Sequence, residues 1–369
     1  MRYLGFVMLL AWALYGDYLT NESCKECHEK IYEEYSRSQH AKSYFTDELH
    51  RKIADAADRS KYGCAPCHMP SADNMPDLLS GKARPDRNNP THTDGVSCYF
   101  CHTLAYVKKA HRYNINIKSR QAEGYKPTFY GRLDNPDSSD KHSSVANPLY
   151  AKNVCLGCHA HKLNDNNVTI FRAMADDQDS LECIECHMPQ TEGGAEKMDK
   201  RTRGHHASHR FLGIHDADFR RQGVDINISA AGEVLQIGLR NRMAHPLIIQ
   251  PARAKFLKVT LIRDGQPLWQ NYRKRPEEDR QGYFGYSFSR NGKPIIIPAT
   301  ATAGRVHNLD AKSQLLIRYR IPEVHKGDEI EVGLWVQLAK SACADAITLK
   351  NSLLTTPSLI KSVNYTVGE

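Results

Sequence analysis

Apolar residues are in short supply in this 369-residue chain: they make up 40% of it, with only three tryptophans. A chain of this length defaults to two domains. That supply fills two cores thinly, so a bound group bringing apolar surface of its own would help to close one. No apolar run reaches the roughly 18–20 residues needed to cross a bilayer. The strongest candidate, residues 3–15, lies between Arg2 and Asp17 and reads as an export signal, with small residues Ala11, Ala13 and Gly16 as cleavage positions. The expectation is a signal peptide over residues 1–16, export to the periplasm or cell surface, and at most peripheral contact with a membrane. No cysteine stands beside the cleavage region, which argues against lipid attachment there.

A formal charge of +8 would suit nucleic acid. The charge is uneven, however. Residues 1–219 hold 28 Lys/Arg against 29 Asp/Glu, and residues 220–369 hold 22 against 13. A chain neutral at one end and basic at the other points away from a nucleic-acid partner.

Of the eleven cysteines, ten fall in five copies of Cys-x-x-Cys-His. These are Cys24, Cys27 and His28; Cys64, Cys67 and His68; Cys98, Cys101 and His102; Cys155, Cys158 and His159; and Cys183, Cys186 and His187. A three-residue step lets two thiols add across the two vinyl groups of one porphyrin edge. The next residue then lies under the iron as its proximal ligand. Zinc knuckles need paired Cys-x-x-Cys units, and five is odd; a redox dithiol has no need of the histidine. The pattern implies five covalently bound haem c groups. Their ten propionates would make the first part of the chain acidic. Cys343 is left over, either a buried inert thiol or one half of a mixed disulfide with a partner.

The motifs are separated by 40, 34, 57 and 28 residues, too unequal for a tandem repeat. Residues 29–45 and 47–61 read as helices; residues 70–95 and 124–148 read as loops. After about residue 220, alternation takes over at Leu235, Ile237 and Leu239 and at Leu257, Val259 and Leu261, with hairpin signals at Asp264-Gly265 and Asn291-Gly292. The fold class expected is α+β. A loop-rich, mostly helical pentahaem domain (17–220) is followed by an antiparallel β-sandwich-like domain (221–369) of about seven strands.

Several segments resemble the multihaem cytochromes c related to octahaem and tetrahaem electron carriers and to pentahaem nitrite reductase. They are SRSQHAK, DGVSCYFCHT, FYG followed by KHSSVANPLYAKNVCLGCH, CHMP (twice), ASHRFLG, and LRNRMAHPLIIQPARAKF. The similarity runs over roughly residues 20–265. It implies distal haem-iron ligands at His40, His142, His209 and His245. Around His245 the chain departs from the group's pattern, with Met-Ala before the histidine and a displaced proline. His205 or His206 could replace His209 by a small shift. The fifth distal ligand is a choice between His92, six residues before Cys98, and His111, nine after His102; His92 is preferred. Met69 and Met188 follow proximal histidines on the wrong side to cap their own haems, and Met243 competes near His245. Enough histidines exist to coordinate every iron twice, which implies low-potential bis-histidine haems.

The leading functional expectation is an electron carrier that is not itself an enzyme. Its partners would be redox proteins such as a quinol-oxidising or terminal reductase complex, with self-assembly into a filament as a third class. A reductase of nitrogen or sulfur oxyanions needs an iron with an open sixth position. The resembling nitrite reductases carry lysine in one motif, and no Cys-x-x-Cys-Lys occurs here.

Overall fold

The computed structural model describes residues 18–58, 60–119, 125–173, 183–194 and 203–368. The expected signal peptide lies outside them. No helix among the described residues is long and apolar enough to cross a membrane.

Each haem-binding motif sits on or beside a short helical turn. Asn21–Lys25 carries Cys24, and Ala65–His68, Cys98–His102, Leu156–His159 and Cys183–His187 carry the other four. One turn brings positions i, i+3 and i+4 to a common face, which is what two thioethers and an axial imidazole require. The helix expected over 29–45 stops early, spanning Glu29–Ser36. Ser36 Oγ bonds back to Glu33 O at 2.9 Å, the Ser38 N–H closes a turn on Tyr35 O, and the apolar spacing ends with Tyr35. The second helix, Glu48–Ala57, starts at Asp47, whose side chain caps the His50 N–H at 3.1 Å.

The first part of the chain is less helical than expected. Four two-stranded ribbons interrupt it: Leu104–Lys108 with Ile115–Lys118, Thr128–Gly131 with Ser143–Ala146, His161–Leu163 with Thr169–Arg172, and Gln190–Glu192 with His205–Ala207. One of them, Thr128–Gly131 with Ser143–Ala146, lies in the segment that reads as a loop by its Pro, Asn and Asp content. Apolar cores are small here. One gathers Tyr62, Ala65, Met69 and Leu78; another gathers Phe100, Leu104 and Tyr150.

From Val224 onward the chain is a pair of antiparallel sheets. Val234–Asn241 is central in a three-stranded sheet, flanked by Val224–Ala231 and Gln314–Arg320. Ala254–Arg263 and Glu329–Gln337 are central in a seven-stranded sheet. The buried sides, including Leu235, Ile237, Leu239, Leu257, Val259 and Leu261, share one core. Both hairpin signals are turns with two consecutive positive φ values: Asp264 and Gly265 at 50° and 72°, Asn291 and Gly292 at 50° and 78°.

The two parts are joined. Asn164 Nδ2 donates to Pro298 O and Ala301 O, both at 2.9 Å. Leu49 packs with Ala339, Cys343 and Ile347. Cys343 is therefore buried in an apolar seam, where burial pushes its thiol pKa up.

Candidate haem sites

One continuous cavity of about 1820 Å³ runs through the first part of the chain. Its lining includes cysteines and histidines of the first four motifs, with His40, His50, His142 and His209 among the other residues. Five motif histidines each face a second imidazole. His28 pairs with His142 at 6.1 Å between ring centres, His102 with His209 at 6.4 Å, His159 with His40 at 6.0 Å, and His187 with His245 at 6.3 Å. The fifth pair, His68 with His50, is closer at 4.5 Å.

Secondary structure aims these rings. Tyr130 O, on the strand Thr128–Gly131, accepts from His102 Nδ1 at 2.7 Å. His142 leads into the partner strand and its Nδ1 meets Ser144 Oγ at 3.1 Å. Ala207 O, ending the ribbon His205–Ala207, accepts from His209 Nδ1 at 2.9 Å. Leu212 O holds His187 Nδ1 at 2.5 Å, and Pro246 O holds His245 Nδ1 at 2.9 Å. Asn241, fully buried, donates to His245 O at 2.9 Å and pins that loop despite the departure from the resembled pattern. His50 Nδ1 lies 2.5 Å from Asp47 Oδ2. His40 differs: its Nδ1 is buried without a hydrogen-bond partner, and Phe211 packs edge-on against the ring at 4.2 Å.

Burial also sets the charge state. It pushes His40 and His68 down to about 3, and His209 and His245 down to about 4. These imidazoles are neutral at physiological pH, the form that offers a lone pair to a metal.

The residues fit c-type haem. Two metal–imidazole bonds of about 2.0–2.1 Å, with each ring centre lying ~1.2 Å behind its nitrogen, separate the two centres by ~6.4 Å. Four of the five pairs stand at 6.0–6.4 Å. Arg253 lines the cavity, and burial pulls its guanidinium down to about 10, so that a propionate would relieve it. Motif cysteines also lie beside one another across sites: Cys24 beside Cys98, Cys67 beside Cys158, and Cys155 beside Cys183. The first site thus adjoins the third, and the fourth adjoins both the second and the fifth.

His92 requires a correction. It is 1% exposed, and both its ring nitrogens are committed. Nδ1 accepts the Asp86 N–H at 3.0 Å, so Nε2 carries the proton and donates to Asn74 Oδ1 at 2.8 Å. No lone pair remains for iron. His111 is exposed and meets Asn167, and His206 is held by Glu34 and Gly193 O. Met69 lies in a core cluster, and Met243 packs against the β core. The imidazole that sequence reasoning missed is His50. The signal was available: His50, Ile53, Ala54 and Ala57 fall at i, i+3, i+4 and i+7 on one helix, and all four line the cavity.

The family described as cytochrome c554 and c-prime matches residues 23–103, from the first motif through the third. No curated protein matches the chain in sequence. Among solved structures, a penta-haem cytochrome c552 from Thermochromatium tepidum superposes with a TM-score of 0.76 at 23% identity, covering 95% of this chain and 99% of that one. The chain matches the cytochrome c554 and c-prime family over its first three motifs and has the fold of a penta-haem cytochrome c552, and both likenesses support c-type haem as its cofactor.

Proposed function

We propose that this multihaem electron-transfer protein is exported and passes electrons through five haems, each held between two imidazoles. The axial pairs are His28–His142, His68–His50, His102–His209, His159–His40 and His187–His245. The carrying observation is the 6.0–6.4 Å spacing of four ring pairs, the distance two metal–imidazole bonds require. Haem supplies a one-electron Fe(III)/Fe(II) couple. The chain orients His50, His102, His142, His187, His209 and His245 through their Nδ1 partners, and burial keeps His40, His68, His209 and His245 unprotonated. The neighbouring cysteines support a fourth site that joins the second and fifth, with the first and third adjoining each other. The penta-haem cytochrome name of the similar structure accords with this reading. The basic β region, facing an acidic haem region, is suited to docking a redox partner or a second copy.

A second reading, a reductase of small nitrogen or sulfur oxyanions, has one observation in its favour. The His50–His68 rings are too close for an iron between them without movement, and Asp47, His50 and His68 bring one donor atom each within 4.8 Å of one another. Cyanide and nitrite binding to the oxidised protein separates the two. An electron carrier with five capped irons binds neither quickly. Rapid saturation of one haem at neutral pH favours the reductase.

A further inference from the structure

The five imidazoles facing the motif histidines differ in what holds their Nδ1. His209 and His245 meet backbone carbonyls, and His142 meets a hydroxyl. His50 meets the carboxylate of Asp47 at 2.5 Å, and buried His40 Nδ1 meets nothing. The two extremes belong to neighbouring sites, because Cys67 of the second motif lies beside Cys158 of the fourth.

A carboxylate that accepts the ring N–H draws the proton toward itself and leaves the imidazole a stronger donor to the metal. Stronger donation favours Fe(III) over Fe(II) and lowers the potential, one of the levers open to a protein around haem. A charge-assisted hydrogen bond is roughly twice as strong as a neutral one. The full negative charge adds an electrostatic preference for the oxidised iron that a carbonyl dipole does not match. Asp47 is fixed for this task. One oxygen caps the helix by accepting the His50 N–H at 3.1 Å, and the other takes the ring, so residue and ligand are tied at two points. His40 has no such support, and its bare Nδ1 leaves it the weakest donor of the five.

We propose that Asp47 is the positioning residue that sets the second haem's potential below that of the fourth, so that an electron on the second haem passes downhill to its neighbour. This deepens the carrier reading and rests on His50 being an iron ligand, with its ring moved out from the 4.5 Å that now separates it from His68 while the Asp47 bond is kept. The test is a spectroelectrochemical titration of the full holoprotein, with His50→Ala and His40→Ala marking the second and fourth components by their conversion to high spin. In wild type the second component should titrate below the fourth. Asp47→Asn keeps the helix cap but removes the charge. It should raise the second midpoint by a tenfold change in Fe(III)-over-Fe(II) preference, ~59 mV for a one-electron couple, and leave the other four in place. Asp47→Glu should restore it in part. If all irons are low-spin and Asp47→Asn moves no midpoint, or moves another component, the inference is overturned while the ligand set stands. A high-spin iron in wild type that His50→Ala does not alter overturns the ligand set itself. Should Asp47→Asn fail to mature, near-infrared magnetic circular dichroism of wild type decides. One charge-transfer band displaced toward imidazolate ligation supports the inference, and five alike contradict it.

Discussion

The carbonyl of Tyr130 accepts a hydrogen bond from Nδ1 of His102 at 2.7 Å, and the strand that presents it is paired with the strand that follows His142. One ribbon therefore orients both His102 and His142, the proposed proximal ligand of the third haem and distal ligand of the first. Orientation of this kind is separable from haem attachment, since thioethers do not depend on the distal side. His142→Ala, His209→Ala or His245→Ala should each leave five haems on the chain by intact mass and convert one iron to high spin. A variant that stays wholly low-spin, with no Lys or Met moved into place, removes that residue from the ligand set.

His92 should behave in the opposite way. Its two hydrogen bonds, to Asn74 and to the Asp86 N–H, are buried. His92→Ala strands both partners at roughly 1–3 kcal/mol each. The expected result is a lower denaturant midpoint with an unchanged electron paramagnetic resonance spectrum. A new high-spin signal would restore His92 as a ligand.

In the β region, the buried Asp279 carboxylate collects Tyr319 OH at 2.6 Å, Asn271 Nδ2 at 2.5 Å and the Gly282 N–H at 3.1 Å. Asp279→Ala strands these donors, at roughly 1–3 kcal/mol for each one left buried. Thermal unfolding should show a lower midpoint, and the haem spectrum at room temperature should match wild type. Tyr319→Phe, which removes one hydrogen bond, should cost less, about 1 kcal/mol.

Acid should weaken the same region through Asp328. Hydrogen bonds from Arg263, at 2.8 and 2.9 Å, and from the His325 N–H hold its carboxyl at about 2. A depressed carboxyl stabilises the fold above its unfolded pKa of about 3.9. That contribution is lost as pH falls from there through about 2. Unfolding measured across this window should show a shallower acid slope in Asp328→Asn than in wild type. Parallel slopes would show that the pair carries no linkage.

Arg273, Lys274 and Arg275 present exposed side chains, while their backbone N–H groups are tied to Glu278. Exposed charges chiefly set association rates and are screened by salt. Neutralising the three should slow electron exchange with an acidic redox partner at low salt, to the rate wild type shows at high salt. Equal rates for variant and wild type at both salt concentrations would mean that the cluster only keeps the sheet soluble.

The covalent half of each haem site was legible because thioether chemistry fixes a local spacing, and alternation with Asp-Gly and Asn-Gly turns announced the sheets. The distal half is a matter of tertiary placement. His40 reaches His159 across 119 residues and His245 reaches His187 from the β region, so only resemblance could suggest them. His50 was missed because Asp47 and His50 look like an ordinary helix start, and His92 was preferred because nearness to Cys98 in sequence says nothing of Asn74 and Asp86. The ribbon of Thr128–Gly131 with Ser143–Ala146 was read as loop because each strand is only four residues long, within a segment rich in Pro, Asn and Asp.

The central claim is that every iron lies between two imidazoles. Spin-quantified electron paramagnetic resonance of the oxidised protein, on a sample whose intact mass shows five haem increments, tests it directly. The account gives five low-spin Fe(III) centres per chain and no high-spin signal; a stoichiometric high-spin centre, or fewer than five haems on fully matured protein, would contradict it.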